Sequence, residues 1–69
     1  GADLRGTDLR GSDLGGAVLR RVRLEGADLR GCELVGTDLE DARVRGVRLD
    51  LRGALALAGS LGAVVDTDS

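Results

Sequence analysis

Residues 1–16, GADLRGTDLRGSDLGG, place leucine at positions 4, 9 and 14, and each leucine follows an aspartate that itself follows a small residue. A period of five is neither the two-residue alternation of a half-buried strand nor the 3.6-residue period of a helix. Continuing in steps of five finds an aliphatic residue at every centre up to position 49. We predict that these ten centres form the structural core: Leu4, Leu9, Leu14, Leu19, Leu24, Leu29, Leu34, Leu39, Val44 and Leu49.

The positions around each centre repeat as well. Two residues before a centre the side chain is always small or β-branched, and two residues after it seven of the ten positions are glycine. The two remaining columns hold nearly all of the charge, so each unit has two inward and three outward positions. This pattern indicates a chain that turns a corner after every short extended segment, because glycine adopts the positive φ of a tight turn without a steric penalty.

Four such sides would close a coil of twenty residues, and successive coils would stack about 4.8 Å apart. The units ADLRG, TDLRG and TDLED resemble the pentapeptide repeat family, and the resemblance covers residues 2–51. It implies an all-β fold, a right-handed, four-sided (quadrilateral) β-helix solenoid, here with ten units and therefore about 2.5 coils. Hexapeptide β-helices and leucine-rich repeats have other periods and do not fit. We expect so short a stretch to need further coils, a cap or a partner for stability.

The charged columns favour the same coil length. Residues twenty apart would form seven opposite-charge pairs and four like-charge pairs. The opposite-charge pairs are Asp3–Arg23, Arg5–Glu25, Glu25–Arg45, Arg20–Glu40, Arg21–Asp41, Asp28–Arg48 and Arg30–Asp50. The like-charge pairs are Asp8–Asp28, Asp13–Glu33, Arg10–Arg30 and Arg23–Arg43. Exposed pairs contribute only about 0–1 kcal/mol each, so we expect them mainly to fix the register of stacking.

The regular spacing ends after Leu49, and we divide the chain into a β-helix at 1–51 and a C-terminal cap with a polar tail at 52–69. One alternative for the cap is a short helix over roughly 54–61, with Leu57 and Leu61 covering the last coil. The other is an irregular coil in which Leu55 and Val65 replace the lost centres. The resemblance also implies a homodimer contact through this segment. We expect residues 66–69 to be a frayed polar end.

The composition excludes most chemistry. The chain has no His and no Lys, which removes the commonest general base, the commonest metal ligand and any Schiff-base or Walker A lysine. We predict no enzyme, no catalytic residue, no cofactor and no metal site. Cys32 stands at an inward position as a small core residue, and a single cysteine fits a cytoplasmic protein. The net charge of −2 argues against a direct nucleic-acid or membrane partner.

The remaining functional prediction is a non-enzymatic structural module that binds a protein partner through its outer columns. The resemblance implies one alternative, because some pentapeptide repeat proteins mimic DNA, bind DNA gyrase and confer resistance to topoisomerase poisons. The candidate acidic surface for that role is Asp8, Asp13, Asp28, Glu33, Asp38, Glu40 and Asp41. Residues 2–51 contain nine arginines and ten acidic residues, however, so the net charge of this stretch is only −1. This is far from the charge density of DNA.

Overall fold

A computed structural model describes residues 2–66. Residues 2–50 wind into a first coil (2–21), a second coil (22–41) and an incomplete third coil (42–50), and one helix, α1, follows at Leu51–Ser60. Between residues 2 and 66 the coils contain no continuous strand, and their pairing consists of isolated parallel bridges. The bridges join Asp3 to Arg23, Asp8 to Asp28, Asp13 to Glu33, Val18 to Asp38, Arg23 to Arg43, and Asp28 to Arg48.

Each bridge joins residues twenty apart, which is the separation that a coil of four five-residue sides requires. The first side consists of residues 2–6, 22–26 and 42–46, and the second of 7–11, 27–31 and 47–50. The third side consists of residues 12–16 and 32–36, and the fourth of 17–21 and 37–41.

Backbone hydrogen bonds run along the axis from coil to coil. On the first side, Arg23 N–H donates to the carbonyl of Ala2 (2.9 Å), and Leu4 N–H donates to the carbonyl of Arg23 (2.8 Å). Gly6 N–H donates to the carbonyl of Glu25 (3.0 Å), and the pattern recurs on the other sides. On all four sides the second coil bonds to the first, and on the first and second sides it also bonds to the third coil, as in a parallel ladder.

The corners are tight turns, each closed by a hydrogen bond from a backbone N–H to the carbonyl three residues earlier. Thr7 N–H donates to the carbonyl of Leu4 at 3.2 Å, and Gly6 between them has φ +66°. A positive φ at the third residue of a turn is the requirement of a type II turn, which glycine meets best. This geometry explains the glycine two residues after most of the centres.

Two corners adopt the same conformation without glycine. Arg21 has φ +60° and Asp41, one coil later on the same corner, has φ +56°. The left-handed region costs an L-residue roughly 1–2 kcal/mol. The axial hydrogen bonds must impose it, since Arg21 N–H donates to the carbonyl of Glu40 at 2.9 Å just as the glycines do at their corners.

The core lies inside the second coil. Leu24, Leu29, Leu34 and Leu39 are at most 2% exposed. The other six centres, in the first and third coils, are half-buried and pack against this cluster. The difference arises because only the second coil is covered at both ends, by the first coil and by the third coil together with the helix that follows it.

Two of the small inward residues also bond to the preceding coil. The Cys32 thiol donates to the carbonyl of Leu9 at 2.9 Å, and the Thr37 hydroxyl donates to the carbonyl of Leu14 at 2.8 Å. Thr37 is only 2% exposed, so this bond satisfies a polar group that would otherwise be unpaired in the core.

Asp50 makes the transition from coil to helix. At a regular corner a glycine N–H donates to the backbone carbonyl nineteen residues ahead, as Gly11 does to Arg30 (3.1 Å). Gly31 N–H instead donates to Oδ2 of Asp50 (2.8 Å), while Oδ1 accepts from Gly53 N–H (2.7 Å) as the N-cap of α1. The backbone carbonyl of Asp50 is thereby left to accept the first helical bond, from Ala54 N–H at 2.9 Å.

Helix α1 packs against the end of the core through Ala56 and Leu57, and its buried residue is Gly53. A Cβ on Gly53 would lie 3.1 Å from Oδ1 of Asp50 and 3.3 Å from Cδ2 of Leu49, so glycine permits the close approach of the helix.

The helix differs from the range of roughly 54–61 expected from the sequence. It begins three residues earlier, because Asp50 caps it, and Leu51 is its first residue rather than the last of the repeats. Leu61 is the C-cap and is 58% exposed, so it does not cover the last coil as expected. The alternative of an irregular coil is wrong, since Leu55 lies within α1 and is 38% exposed. Of the predicted polar end, 67–69 lie outside the described residues.

Replacing Arg21 with Gly should raise the free energy of unfolding by about 1 kcal/mol, because glycine adopts the left-handed conformation without strain. This net gain allows for the greater entropy that glycine gives to the unfolded chain. The matched control is Gly26→Ala, at φ +73° with no atom within 4 Å of the added Cβ, which should lower stability by a similar amount. Chemical denaturation measures both. A loss of stability in Arg21→Gly would contradict the imposed strain.

Truncating Leu29 to Ala should cost about 2–5 kcal/mol, since a fully buried leucine is replaced by a cavity. Leu9→Ala provides the comparison, because Leu9 is stacked at the same position of the first coil and is only half-buried. Its cost should be clearly smaller. Equal unfolding midpoints for the two variants would show that the second coil is not the centre of the core.

Candidate interaction surface

The seven acidic residues selected from the sequence lie on three adjacent sides of the coil. Asp8 and Asp28 form a bridge pair on the second side, and Asp13 and Glu33 form one on the third. Asp38, Glu40 and Asp41 belong to the fourth side and its corner. The backbone thus brings these carboxylates together in three neighbouring groups.

On the second side each aspartate is held by the arginine two residues later. Oδ1 of Asp8 accepts from the backbone N–H of Arg10 (3.1 Å) and from its Nε (2.9 Å), while Oδ2 lies 2.8 Å from Nη2. Asp28 and Arg30 repeat the arrangement, with Nη2 at 2.6 Å from Oδ2. The hydrogen bonds from the arginine side chains lower the pKa of Asp8 and bring the pKa of Asp28 to about 2.

On the fourth side Arg20 forms ion pairs with two acidic side chains. Nε of Arg20 lies 2.6 Å from Oδ2 of Asp38 and 3.4 Å from Oε2 of Glu40. The bond from Arg20 is the main cause that lowers the pKa of Asp38, and the backbone N–H of Glu40 adds to it. On the third side, Oε2 of Glu33 lies 3.9 Å from Nη2 of Arg52 in α1.

Five of the seven acids therefore have an arginine within 4.0 Å. Within residues 2–66, Asp13 and Asp41 have no such ion pair, and Oδ1 of Asp13 accepts from the backbone N–H of Gly15 at 3.0 Å. The candidate acidic surface is thus largely neutralised by the chain's own arginines.

The charge pairing differs from the ladder expected from the sequence. Of the seven predicted cross-coil pairs, only Arg20–Glu40 comes within 4.0 Å in the described chain. Four arginines instead pair with an acid of their own unit: Arg5, Arg10, Arg23 and Arg30, as Arg5 does with Asp3 at 2.7 Å. The reason is local, because the carboxylate of the bridging residue already accepts the N–H two residues later and both side chains lie on the same side of the chain.

The structure brings together a second charged surface that the sequence analysis did not select. An open groove on the first side and its corner is lined by Arg21, Arg23, Asp41 and Arg43, and we call it the basic groove. Arg45, Glu25 and Val44 line the adjoining depression with Arg43. The only signal in the sequence was the like-charge pair Arg23–Arg43, which the bridge between these residues places side by side.

Cys32 is buried within the core and bonded to Leu9, as described above. Across residues 2–66, no group of three or more His, Cys, Asp or Glu side chains is arranged to hold a metal ion. Over the same residues, no helix has both the length and the apolar character needed to cross a membrane.

The aspartate pKa values determine a pH dependence. Folding lowers the pKa of Asp3, Asp8, Asp28, Asp38 and Asp50 below the ordinary value of 3.8, so the charged carboxylates stabilise the folded state. This stability is present above about pH 4 and is lost as the pH falls toward 2. The thermal midpoint should be flat near neutrality and fall in that window. Asp8→Asn/Asp28→Asn should flatten the acid limb, and a midpoint that rises on acidification would contradict the assignment.

The pentapeptide repeats family matches the chain with eight copies, over residues 1–34 and 12–50. The crystal structure of a pentapeptide repeat protein (Rfr23) from the cyanobacterium Cyanothece 51142 is similar, with a TM-score of 0.71 and 39% sequence identity. The match covers 74% of this chain and 35% of that one, so the chain spans about a third of the length of the Cyanothece chain. No curated protein matches. The repeat of five residues, the parallel bridges twenty residues apart and both matches agree, and the chain belongs to the pentapeptide repeat family.

Proposed function

We propose that the chain is a non-enzymatic structural and protein-interaction module that presents side chains to another protein from a rigid coil. The family consists generally of non-enzymatic structural modules. The observation that carries the proposal is the axial ladder, in which bonds such as Arg23 to Ala2 and Leu24 to Arg43 tie the second coil to both neighbours. Outward residues on one side therefore keep a spacing of about 4.8 Å between coils.

A surface held in this way suits protein recognition because little freedom is lost on binding. The backbone is already fixed by the axial hydrogen bonds, so only side chains lose freedom when a partner binds. Ordering such side chains costs about 0.5–1.5 kcal/mol each when they are free. Preorganisation supports an interaction role rather than a purely mechanical one.

The finer features of the fold and location are part of this proposal. We infer that the coil has the right hand of the quadrilateral β-helix that the family implies, and that the protein acts in the cytoplasm, where the single thiol of Cys32 stays reduced.

The alternative is a DNA mimic that binds gyrase. A cross-section of 20 × 20 Å, comparable with that of a DNA duplex, favours it. The arginines beside five of the seven acids argue against it, because a mimic needs uncompensated negative charge. We rank it second for this reason.

The C-terminal segment supports the homodimer contact as a further part of the proposal. Leu51, Leu61 and Val64 are 77%, 58% and 94% exposed. These apolar side chains occur on and after α1, at one end of the molecule, where a second copy would cover them.

Site-specific photocrosslinking tests the proposal. A photoreactive residue is placed in the full-length protein at Arg45, Val35 or Leu61, which report on the first side, the third side and the C-terminal segment, and the protein is expressed in its host. We expect a discrete adduct with a different protein from one position and not from the other two. Uniform background from all three positions would contradict an interaction role.

The same experiment separates the alternatives. An adduct with a gyrase subunit from Val35, together with protection of purified gyrase from a topoisomerase poison, would favour the mimic. An adduct between two copies from Leu61 would support the homodimer.

A further inference from the structure

We propose that the basic groove binds an extended acidic segment of a partner protein, with carboxylates on alternate residues. This inference rests on the interaction role proposed above and specifies both the surface and the chemistry of the partner. The groove consists of Arg21, Arg23 and Arg43 with Asp41, and Arg45 extends it along the first side.

The basic groove places like charges side by side. Arg23 and Arg43 are bridge partners on adjacent coils, so their backbones lie about 4.8 Å apart and their side chains leave the same side. Like charges directly opposite one another destabilise a sheet pair. Arg23 has a partial counter-ion in Glu25, at 3.7 Å, whereas Arg43 has no carboxylate within 4.0 Å among residues 2–66.

Arginines without a nearby acid are concentrated at the basic groove. Six arginines of the described chain lie within 4.0 Å of an acid: Arg5, Arg10, Arg20, Arg23, Arg30 and Arg52. Of the four without such a pair, Arg21, Arg43 and Arg45 line the groove and its extension. Arg21 also occupies a left-handed corner where glycine would be unstrained. Strain and repulsion therefore meet at one place on the surface, which is typical of a binding site.

Glu25 places a negative charge within the array of arginines. Its side chain lines the depression shared with Arg43 and Arg45, and its buried Oε1 receives no hydrogen bond. A ligand with separated negative charges can place a neutral group beside Glu25, whereas the phosphodiester backbone of a nucleic acid carries a charge at every unit.

The spacing of the arginines matches an extended segment. Arg43 and Arg45 are two residues apart on the first side, or about 6.6 Å where the chain is extended. Alternate side chains of a bound strand have the same separation, so two carboxylates can meet two guanidinium groups, each in the bidentate geometry that arginine favours.

Other ligands fit less well. Asp41 and Glu25 stand within the array and would repel the continuous charge of a nucleic acid or an anionic membrane. The groove is open rather than enclosed, whereas small molecules bind in concave sites that bury most of their surface. A peptide with neutral residues between its acids avoids both objections.

The test measures binding of a fluorescent peptide to the full-length protein by anisotropy. The probe alternates glutamate with threonine over about nine residues, enough to cross the groove at about 3.3 Å per residue. The control peptide has glutamine in place of each glutamate. We expect saturable binding of the acidic probe at low salt, at least about tenfold weaker at ~300 mM NaCl, and no binding of the control peptide.

Two double variants identify the surface. Arg23→Gln/Arg43→Gln should weaken binding of the acidic probe at least tenfold. Arg10→Gln/Arg30→Gln is the matched control, since it removes the same charge from another stacked pair, and it should change binding less than twofold. The groove variant should also melt at a higher temperature than the wild type, because the repulsion between Arg23 and Arg43 is removed, which shows that lost binding is not lost folding.

Equal losses in the two double variants, absence of saturable binding, or preferential binding of a DNA duplex of equal charge would each overturn the inference. These failures differ from failure of the proposed function. A partner crosslinked only from Val35 or Leu61 would leave an interaction module that uses another surface, whereas absence of any adduct with another protein would remove the interaction role itself.

Discussion

The left-handed corner is the constraint on which the rest of the structure depends. At one residue in every five the chain takes a φ between +56° and +75° up to residue 46, and a hydrogen bond across three residues closes the turn. The corner directs the centre and the small residue before it toward the axis, and the next coil then lies in hydrogen-bonding distance. Arg21 and Asp41 show how strong the constraint is, since these residues take the glycine conformation rather than break the ladder.

The ladder explains both the core and the way it ends. Leu24, Leu29, Leu34 and Leu39 are buried because the second coil lies between the first coil on one side and the third coil with α1 on the other, while the outer coils keep half-buried centres. Asp50 ends the ladder, because its carboxylate oxygen accepts the hydrogen bond of the Gly31 N–H in place of a backbone carbonyl. The same side chain caps α1. One residue thus satisfies the last corner of the coil and the first turn of the helix.

Most of the fold could be predicted from the period of five residues, because an inward position at every fifth residue leaves few arrangements other than a coil with four short sides. The start of α1 was harder to predict. Asp50 occupies an outward position of the tenth unit, and nothing in the spacing distinguishes it from a solvent-exposed acid such as Asp13.

The charged surface was predicted less well, and for a physical reason. Residues twenty apart are indeed neighbours, but an aspartate that accepts the N–H two residues later is already turned toward the arginine of its own unit. Local geometry therefore determines which charges pair. The basic groove consists of arginines that lack such an aspartate, Arg21 at the corner and Arg23 and Arg43 on the first side.

Because four corners complete one circuit, the number of five-residue units that are inserted or deleted together determines whether the later residues keep their columns. Loss or duplication of a single unit rotates every later residue by a quarter turn, so Arg43 would leave the column of Arg23 and α1 would meet a different side of the coil. A change of four units lengthens or shortens the rod and leaves every column intact. Gene duplication in steps of twenty codons can therefore extend such a protein without altering any binding face, whereas a step of five creates a new arrangement of faces from the same residues.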